Sequence, residues 1–200
     1  MSLNCVQTKI KTTPGAKIST IENVATDIIK SGTVKEPAAI ILHVGMNNIT
    51  EGDSKESIVT DFSSLTKVLT SKYQKTKIII SSILPLKTMK ITDAVINDVN
   101  EGIKSLCRQE GYIFLDNSGT FSSDKSLYFD EFHPNNKGTA ALGSNMKRCI
   151  ADHLSTTYKH DATSYFRHGR NNRRPYQTGT WNQWRNPRNT PMIPQRWRQM

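Results

Sequence analysis

The pattern of apolar and polar residues alternates between two kinds of segment along most of the chain. Apolar runs of strand length occur at Ala38–Val44 and Lys77–Leu84, and the second run is rich in β-branched isoleucine. Apolar residues at helical spacing lie before, between and after these runs. Alternating strands and helices predict a parallel sheet covered by helices, because two parallel strands need a crossover connection between them. The fold class indicated is therefore α/β.

Four strands and four helices are predicted in total. Shorter strands are expected at Val6–Lys11 and Tyr112–Leu115, besides the two apolar runs. Each helix is expected to turn one apolar stripe towards the core. The helices are predicted at residues 18–29, 54–73, 92–110 and 137–154, and the inward residues include Ile18, Ile58, Phe62, Leu65, Val95, Val99 and Ile103.

The first apolar run stops abruptly at Gly45-Met46-Asn47-Asn48, which predicts a tight turn after a buried strand. Loops beyond the carboxyl ends of parallel strands line the crevice where ligands bind. In this position the side-chain NH₂ of Asn47 can donate a hydrogen bond to a developing oxyanion. Asn48 is interpreted as an ordinary turn residue, and His43 as a neutral histidine hydrogen-bonded in the core.

A second group of polar residues occurs at Asp130-Glu131-Phe132-His133. A carboxylate three residues before a histidine can fold back within one turn onto the imidazole Nδ1. This contact fixes the tautomer that leaves Nε2 free to take a proton, and it stabilises the imidazolium that then forms. The pattern predicts the general-base part of a hydrolytic triad; the alternative is a surface ion pair of little energetic weight.

Together these motifs resemble the SGNH (GDSL-type) hydrolases, a family named for Ser, Gly, Asn and His in four separate sequence blocks. Residues 45–48 resemble the Asn block, which implies an oxyanion-hole role for Asn47. Asp130 and His133 resemble the Asp-x-x-His block, as orienting acid and base. Residues 14–16, Pro-Gly-Ala, resemble the Gly block, in which the N–H of Gly15 would serve the oxyanion. The resemblance implies a flavodoxin-like, three-layer sandwich with a mostly parallel sheet.

The segment from Pro14 to about Ile150 resembles the esterase-like domains that some LINE-type retroelements and related animal open reading frames carry. In the family, the nucleophilic serine lies in a Gly-Asp-Ser turn after the first strand, ahead of the Gly block. Residues 1–13 contain Ser2 but no Gly-Asp-Ser. We therefore expect the fold to lack its first strand, and the domain to be truncated at its N-terminus without its nucleophile block.

A Gly-Asp-Ser sequence does occur at residues 52–54, but it follows the Asn block and opens a helix. Asp53 with Glu56 three residues later has the pattern of a capping box, which is a sufficient structural reason for these residues. Ser54 is therefore not expected to be the nucleophile. Gly45 and Asn48 are expected to support the turn that carries Asn47.

Composition divides the chain into a predicted domain over residues 1–158 and a disordered tail over residues 159–200. The whole chain has a formal net charge of +10. From Asp161 onward there are eight arginines, no lysine, one acidic residue and all three tryptophans, while aliphatic residues almost vanish. Such a segment buries too little apolar surface to offset the entropy of ordering it.

Arginines interleaved with aromatic residues suit single-stranded RNA or DNA, because guanidinium groups neutralise phosphates and aromatic rings stack on unpaired bases. The alternative is a solvated, charged tail with no dedicated partner. If the tail binds nucleic acid, the residues expected to do so are Arg170, Arg173, Arg174, Trp181, Trp184, Arg185 and Trp197.

Other function classes receive no support. Cys5, Cys107 and Cys149 lack metal-like spacing and are odd in number, so neither a metal site nor a disulfide framework is expected, and no cofactor is implied. Neither a signal peptide nor an apolar segment of transmembrane length is found, which makes a cytoplasmic setting the default expectation.

Two functions follow from the sequence. The first is a domain of acyl-ester hydrolase ancestry that lacks its nucleophile, is catalytically impaired, and retains a pocket for a small ester or an acetylated glycan or lipid. The alternative is an active serine esterase of SGNH type, with its nucleophile in sequence upstream of a chain that is a fragment.

Overall fold

A computed structural model of the chain describes residues 8–86, 91–122 and 124–154. Helices and strands alternate through these residues, with a single 3₁₀ turn at Lys125–Leu127. In chain order the elements are α1 (Ile18–Ser31), β1 (Ala39–Leu42), α2 (Met46–Thr50), α3 (Lys55–Lys72), β2 (Lys77–Ser81), α4 (Asp93–Glu110), β3 (Ile113–Leu115), α5 (Ser118–Phe121) and α6 (Asn136–Leu154).

The three strands form one parallel sheet in the order β1-β2-β3. Successive side chains of a strand point to opposite faces, so each face meets its own helices. On one face, Ile78 and Ile80 of β2 are buried in the cluster that contains core residues of α1, α3 and α4. On the other face, Ile79 packs with Cys149 of α6. The result is a three-layer α/β fold with a small parallel sheet, in agreement with the predicted class.

The predicted apolar stripe of α3 is the centre of the larger cluster. Ile58, Phe62 and Leu65 have 0% relative exposure. At roughly 1.5–3 kcal/mol for each fully buried side chain of this size, the stripe is a main source of stability. In α4 one predicted inward residue is wrong, because Val95 is 48% exposed and Ile96, at 1%, takes its place. Both positions are one turn before Val99, so periodicity alone did not distinguish them.

The ends of the helices have local causes. The Thr92 side chain accepts a hydrogen bond from the N–H of Val95 and caps α4. Gly32 and Gly111 end α1 and α4 with φ of 63° and 73°, a left-handed conformation in which glycine carries no Cβ penalty.

The structure differs from the prediction at the beginning of the chain and at two loops. Residues 8–11, the described part of the short strand predicted at Val6–Lys11, are not in a strand, and Ile10 is 84% exposed. Among the described residues β1 pairs only with β2, so residues 8–11 do not bond to its other edge. The short helix α2 lies where a turn was predicted, and a second short helix, α5, follows β3.

No helix within residues 8–86, 91–122 and 124–154 is long and apolar enough to cross a membrane. The predicted tail, with all of its candidate nucleic-acid-binding residues, lies outside the described residues, as does the boundary between residues 158 and 159.

Candidate active site

Gly15 lies in a tight turn that leads into α1. The N–H of Ala16 donates to the carbonyl oxygen of Thr13 at 3.3 Å, and Gly15 has φ of 70°. Proline at the second position and positive φ at the third identify a type II turn. A Cβ at Gly15 would meet nothing within 4 Å, so the backbone conformation and not space requires glycine here.

Asn47 lies against this turn. Its Nδ2 donates a hydrogen bond to the carbonyl oxygen of Ala16 at 3.0 Å. The second hydrogen of the same NH₂ has no hydrogen-bond acceptor among the residues that the structure describes. The Asn and Gly blocks, 32 positions apart in sequence, therefore meet, and Asn47 keeps one hydrogen to donate.

The turn predicted at residues 45–48 is instead the start of α2. Gly45 has φ of 114°, and a Cβ placed on it would come within 2.8 Å of the Ile83 Cδ1. The left-handed backbone favours glycine here, and any Cβ would also require the Ile83 side chain to move. This geometry turns the chain sharply out of β1 and holds Asn47 at the carboxyl end of the strand.

Asn48 is not the ordinary turn residue that the sequence suggested, because it is completely buried and fully hydrogen-bonded. Its Oδ1 accepts the N–H of Ile18 at 3.1 Å, and its Nδ2 donates to Asp53 at 2.9 Å and to Asp61 at 3.3 Å. An aspartate here would add a third carboxylate beside two others. The amide satisfies both carboxylates and still caps the first turn of α1.

The predicted capping box at Asp53 is also wrong. Ser54 is the N-cap of α3, since its side chain accepts the N–H of Ser57 at 3.2 Å. Asp53 instead binds Lys17, with Nζ 3.1 Å from both of its carboxylate oxygens, and this cation lowers the pKa of the Asp53 carboxyl. Lys17 also pairs with Glu51 at 2.8 Å, and the two carboxylates raise its pKa.

Asp130 and His133 form the predicted contact. His133 Nδ1 is 2.8 Å from Asp130 Oδ2 and 3.1 Å from Oδ1. The backbone N–H groups of Phe132 and His133 also donate to Oδ1, at 2.8 and 2.7 Å. The Phe132 N–H, the imidazole and the His133 N–H together lower the pKa of Asp130 to about 2, because all three stabilise the carboxylate. The His133 side chain is 76% exposed, so its ring is accessible to a ligand.

The loop that carries this pair is fixed at both ends. The Tyr128 hydroxyl donates to the carbonyl oxygen of Pro85 at 2.6 Å, and burial of this phenol raises its pKa to about 12. The N–H of Phe129 donates to the carbonyl oxygen of His133 at 2.8 Å. After the loop, Asn135 Oδ1 accepts the N–H of Gly138 at 3.1 Å in the first turn of α6.

Asn47 follows β1, and the loop of Asp130 and His133 is anchored through Tyr128 to the segment that follows the neighbouring strand β2. Gly45, after β1, approaches Ile83, and two residues further along the chain Pro85 receives the hydroxyl of Tyr128. No hydrogen bond joins His133 to Asn47 or Gly15 in the described part of the chain. A shallow depression beside the imidazole is lined by Ser126, Phe129, His133, Pro134, Asn135, Asn136 and Lys137, without Asn47 or Gly15.

Within the described ranges, no serine hydroxyl is within hydrogen-bonding distance of the His133 ring, whose bonds are to Asp130. Ser54 is engaged as the cap of α3. No group of three or more His, Cys, Asp or Glu side chains that could hold a metal ion occurs among the described residues.

A buried polar network at the same edge of the sheet was missed from sequence. Ser81 ends β2 and Asn117 follows β3, and both have 0% relative exposure. His43 follows β1 and is exposed overall, which corrects its interpretation as a core residue, although its Nδ1 is 3.1 Å from the Ser81 hydroxyl. Desolvation of the imidazole disfavours its charged form, which lowers the pKa of His43. The signal available in the sequence was a polar residue at or just after the end of each strand, namely His43, Ser81 and Asn117.

Comparisons with known proteins agree with the α/β fold and identify a family. The family model described as the GDSL-like Lipase/Acylhydrolase family matches residues 11–141. A carbohydrate esterase family 3 structure from Talaromyces cellulolyticus aligns with a TM-score of 0.59 at 19% identity, over 69% of this chain and 68% of that one. A GDSL-like lipase from Bacteroides thetaiotaomicron aligns at 0.57 and 18%, over 69% and 72%. No curated protein matches the chain.

Proposed function

This chain belongs to the GDSL-like lipase/acylhydrolase family, and we propose that its domain holds the base and oxyanion-hole parts of an acyl-ester hydrolase site. The observation that carries the proposal is the 2.8 Å contact between Asp130 and the Nδ1 of His133, on an exposed ring whose Nε2 is free of protein hydrogen bonds within the described residues. A histidine oriented in this way is the general base of acyl-transfer enzymes.

Each residue has a defined task in this reaction. His133 takes a proton at Nε2 from the attacking hydroxyl, while Asp130 accepts the Nδ1–H and stabilises the imidazolium. The N–H of Gly15 and the remaining hydrogen of the Asn47 amide donate hydrogen bonds to the acyl oxygen, which stabilises the negative charge that develops on it. The hydrogen bond from Asn47 to Ala16 supports this pairing, because it keeps the two donors next to each other before any ligand arrives.

We propose further that these 200 residues alone are catalytically impaired, since no serine hydroxyl among the described residues is bonded to His133. Loss of the nucleophile from a hydrolytic triad lowers turnover by a factor of about 10⁶. What remains is an oxyanion hole that binds an acyl oxygen. The ligand we propose is a small ester or an acetylated glycan or lipid.

The test is hydrolysis of p-nitrophenyl acetate by the 200-residue chain, compared with His133→Ala at equal concentration. We expect both proteins to remain near the rate of buffer alone. Turnover in the wild-type chain that disappears in His133→Ala would overturn the proposed impairment and establish a serine esterase with a nucleophile within these residues. His153→Ala is the matched control, because this histidine lies on α6 with its Nδ1 bonded to the Cys149 carbonyl oxygen.

The alternative is an active serine esterase in which an upstream segment supplies the nucleophile. It is favoured by the edge of β1, which pairs with β2 alone within the described residues. A longer chain that adds upstream Gly-Asp-Ser sequence should then hydrolyse the same ester and lose this activity in His133→Ala. If the longer chain is as inactive as the short one, this alternative fails.

The resemblance to the esterase-like domains of LINE-type retroelements suits a second role for residues 159–200. We propose that the eight arginines and three tryptophans of this segment bind single-stranded RNA. Binding should weaken steeply between 50 and about 200 mM salt and disappear on deletion of residues 161–200. Binding that is absent at low salt, or unchanged by the deletion, would contradict this role.

A further inference from the structure

The strongest feature outside the proposed machinery is a line of hydrogen-bonded side chains that runs from α6 to the end of β1. Arg148 contacts Asn145 Oδ1 at 2.9 Å, and Asn145 Nδ2 contacts Asn117 Oδ1 at 3.0 Å. Asn117 Nδ2 is 2.9 Å from the Ser81 hydroxyl, and this hydroxyl is 3.1 Å from His43 Nδ1. Only the two ends of the line, Arg148 and His43, are exposed.

The direction of donation along this line is fixed by chemistry. An arginine can only donate, so the Asn145 atom that faces it is the oxygen and its NH₂ faces Asn117. The Asn117 atom that receives this NH₂ is then its oxygen. The NH₂ of Asn117 therefore faces Ser81, and the carbonyl oxygen of Leu115, 3.4 Å away, confirms a donor on that side.

The hydroxyl of Ser81 consequently accepts from Asn117 and has one proton left to donate. Ser81 has 0% relative exposure, and a buried hydroxyl proton without an acceptor costs about 1–3 kcal/mol. Among the described residues, His43 Nδ1 is the one acceptor within hydrogen-bonding distance of that hydroxyl. His43 is thereby held neutral with its proton on Nε2, as a donor and not as a base.

The position of this donor indicates what it binds. His43 follows directly after β1, two residues before Gly45 and four before Asn47. Its Nδ1 is engaged by a buried serine, whereas its Nε2 has no hydrogen-bond partner among the described residues and the residue as a whole is exposed, so Nε2 is the ring nitrogen available to a ligand. A neutral N–H at this strand end suits an oxygen of a ligand in the crevice beyond the carboxyl ends of the strands.

We propose that His43 is an additional ligand-binding residue, whose Nε2–H donates to an oxygen of the bound acyl group or carboxylate. Ser81, Asn117 and Asn145 are its positioning residues, because they fix the tautomer without touching the ligand. The identity of the ligand rests on the proposed function, whereas the tautomer of His43 rests on the network alone. A network with only structural importance would leave His43 insensitive to any ligand.

The tautomer is tested by long-range proton–nitrogen NMR of the full 200-residue chain labelled at histidine nitrogen, with His43→Phe to assign the signals. We expect His43 to carry its proton on Nε2 and none on Nδ1 at neutral pH. A proton on Nδ1 would overturn the proposal. Ser81→Ala should raise the pKa of His43, because the neutral ring loses a donor, and Ser81→Thr should restore it. Ser82→Ala is the matched control, since Ser82 bonds Asn117 but not His43.

Ligand binding is tested by titrating sodium acetate, the smallest carboxylate, against sodium chloride at equal ionic strength. The His43 Nε2 signal should shift to saturation with acetate alone, and His43→Phe should weaken acetate binding about tenfold, which corresponds to about 1.4 kcal/mol for one hydrogen bond to a charged oxygen. A His43 signal that does not move with acetate overturns the ligand-binding role.

The test separates this inference from the proposed function. The shift at His43 should persist in His133→Ala, so a chain inactive towards esters can still confirm it. Conversely, hydrolysis that depends on His133 without any response at His43 would support the proposed function and refute the present inference.

Discussion

Gly138, in the first turn of α6, lies against the loop that carries the base. A Cβ placed on this glycine would lie 2.2 Å from the carbonyl oxygen of Leu127 and 2.9 Å from the Cβ of Pro134. That carbonyl oxygen already accepts the N–H of Asn135 at 2.8 Å. The neighbouring atom is backbone held by a hydrogen bond, so it has no flexible end that can move aside. Gly138→Ala should push the loop of His133 away from the helix.

Two effects of opposite sign determine the magnitude. Alanine is better than glycine inside a helix by about 1 kcal/mol. Overpacking of a tight contact costs about 1–3 kcal/mol, and a backbone atom at this distance places the cost near the upper value. The net expectation for Gly138→Ala is a loss of about 2 kcal/mol, which lowers Tm by about 4–8 °C for a domain of this size.

Gly143 in the same helix provides the matched control, because a Cβ there would meet nothing within 4 Å. Gly143→Ala should gain about 1 kcal/mol from helix propensity alone. Thermal and urea unfolding measure the stability of both variants. Their free energies of unfolding should differ by about 3 kcal/mol, which is the overpacking cost that only Gly138→Ala carries. Equal stabilisation by both substitutions would refute the packing argument for the loop.

Three further substitutions test the site. The Asp130 carboxyl has a pKa of about 2, below its ordinary value of 3.8, so its stabilising contribution is present above pH 4 and is lost as the pH falls towards 2. The stability difference between wild type and Asp130→Asn should therefore shrink over that range in urea unfolding, and a constant difference would contradict it. Asn48→Asp should destabilise the domain by about 2 kcal/mol at pH 7, because it places a third carboxylate beside Asp53 and Asp61, and acidification to pH 4 should reduce the loss. Ser54→Ala should cost about 1 kcal/mol as a lost N-cap, measured by thermal unfolding, and an unchanged Tm would contradict the capping role.

Local pattern was sufficient for the layers of the fold. In α3 the residues Ile58, Phe62 and Leu65 recur at spacings of four and three, and all three are fully buried. The β-branched run that begins at Lys77 forms β2 in the middle of the sheet. Helical and strand periodicities repeat within a few residues, so a single sequence records them directly.

The contact between Asp130 and His133 was equally predictable, because one turn of chain spans it. Their catalytic roles, like those of Gly15 and Asn47, stay predictions. The roles of Asp53 and Ser54 in capping α3 were not separable from sequence, since either residue type is a good N-cap. In the structure Lys17 binds the carboxylate of Asp53, and Ser54 is the residue that caps α3.

The sequence by itself determined the alternation of strands and helices, the apolar stripes and the short-range dyad, because each depends on neighbours within one or two turns. Only the tertiary structure decided that Asn48 is a buried junction and that His43 rests on a polar network. Asn48 meets Ile18 across 30 positions, and His43 meets Ser81 across 38. Hydrogen bonds between segments so far apart form only after the sheet and helices have packed, and no periodicity along the chain encodes them.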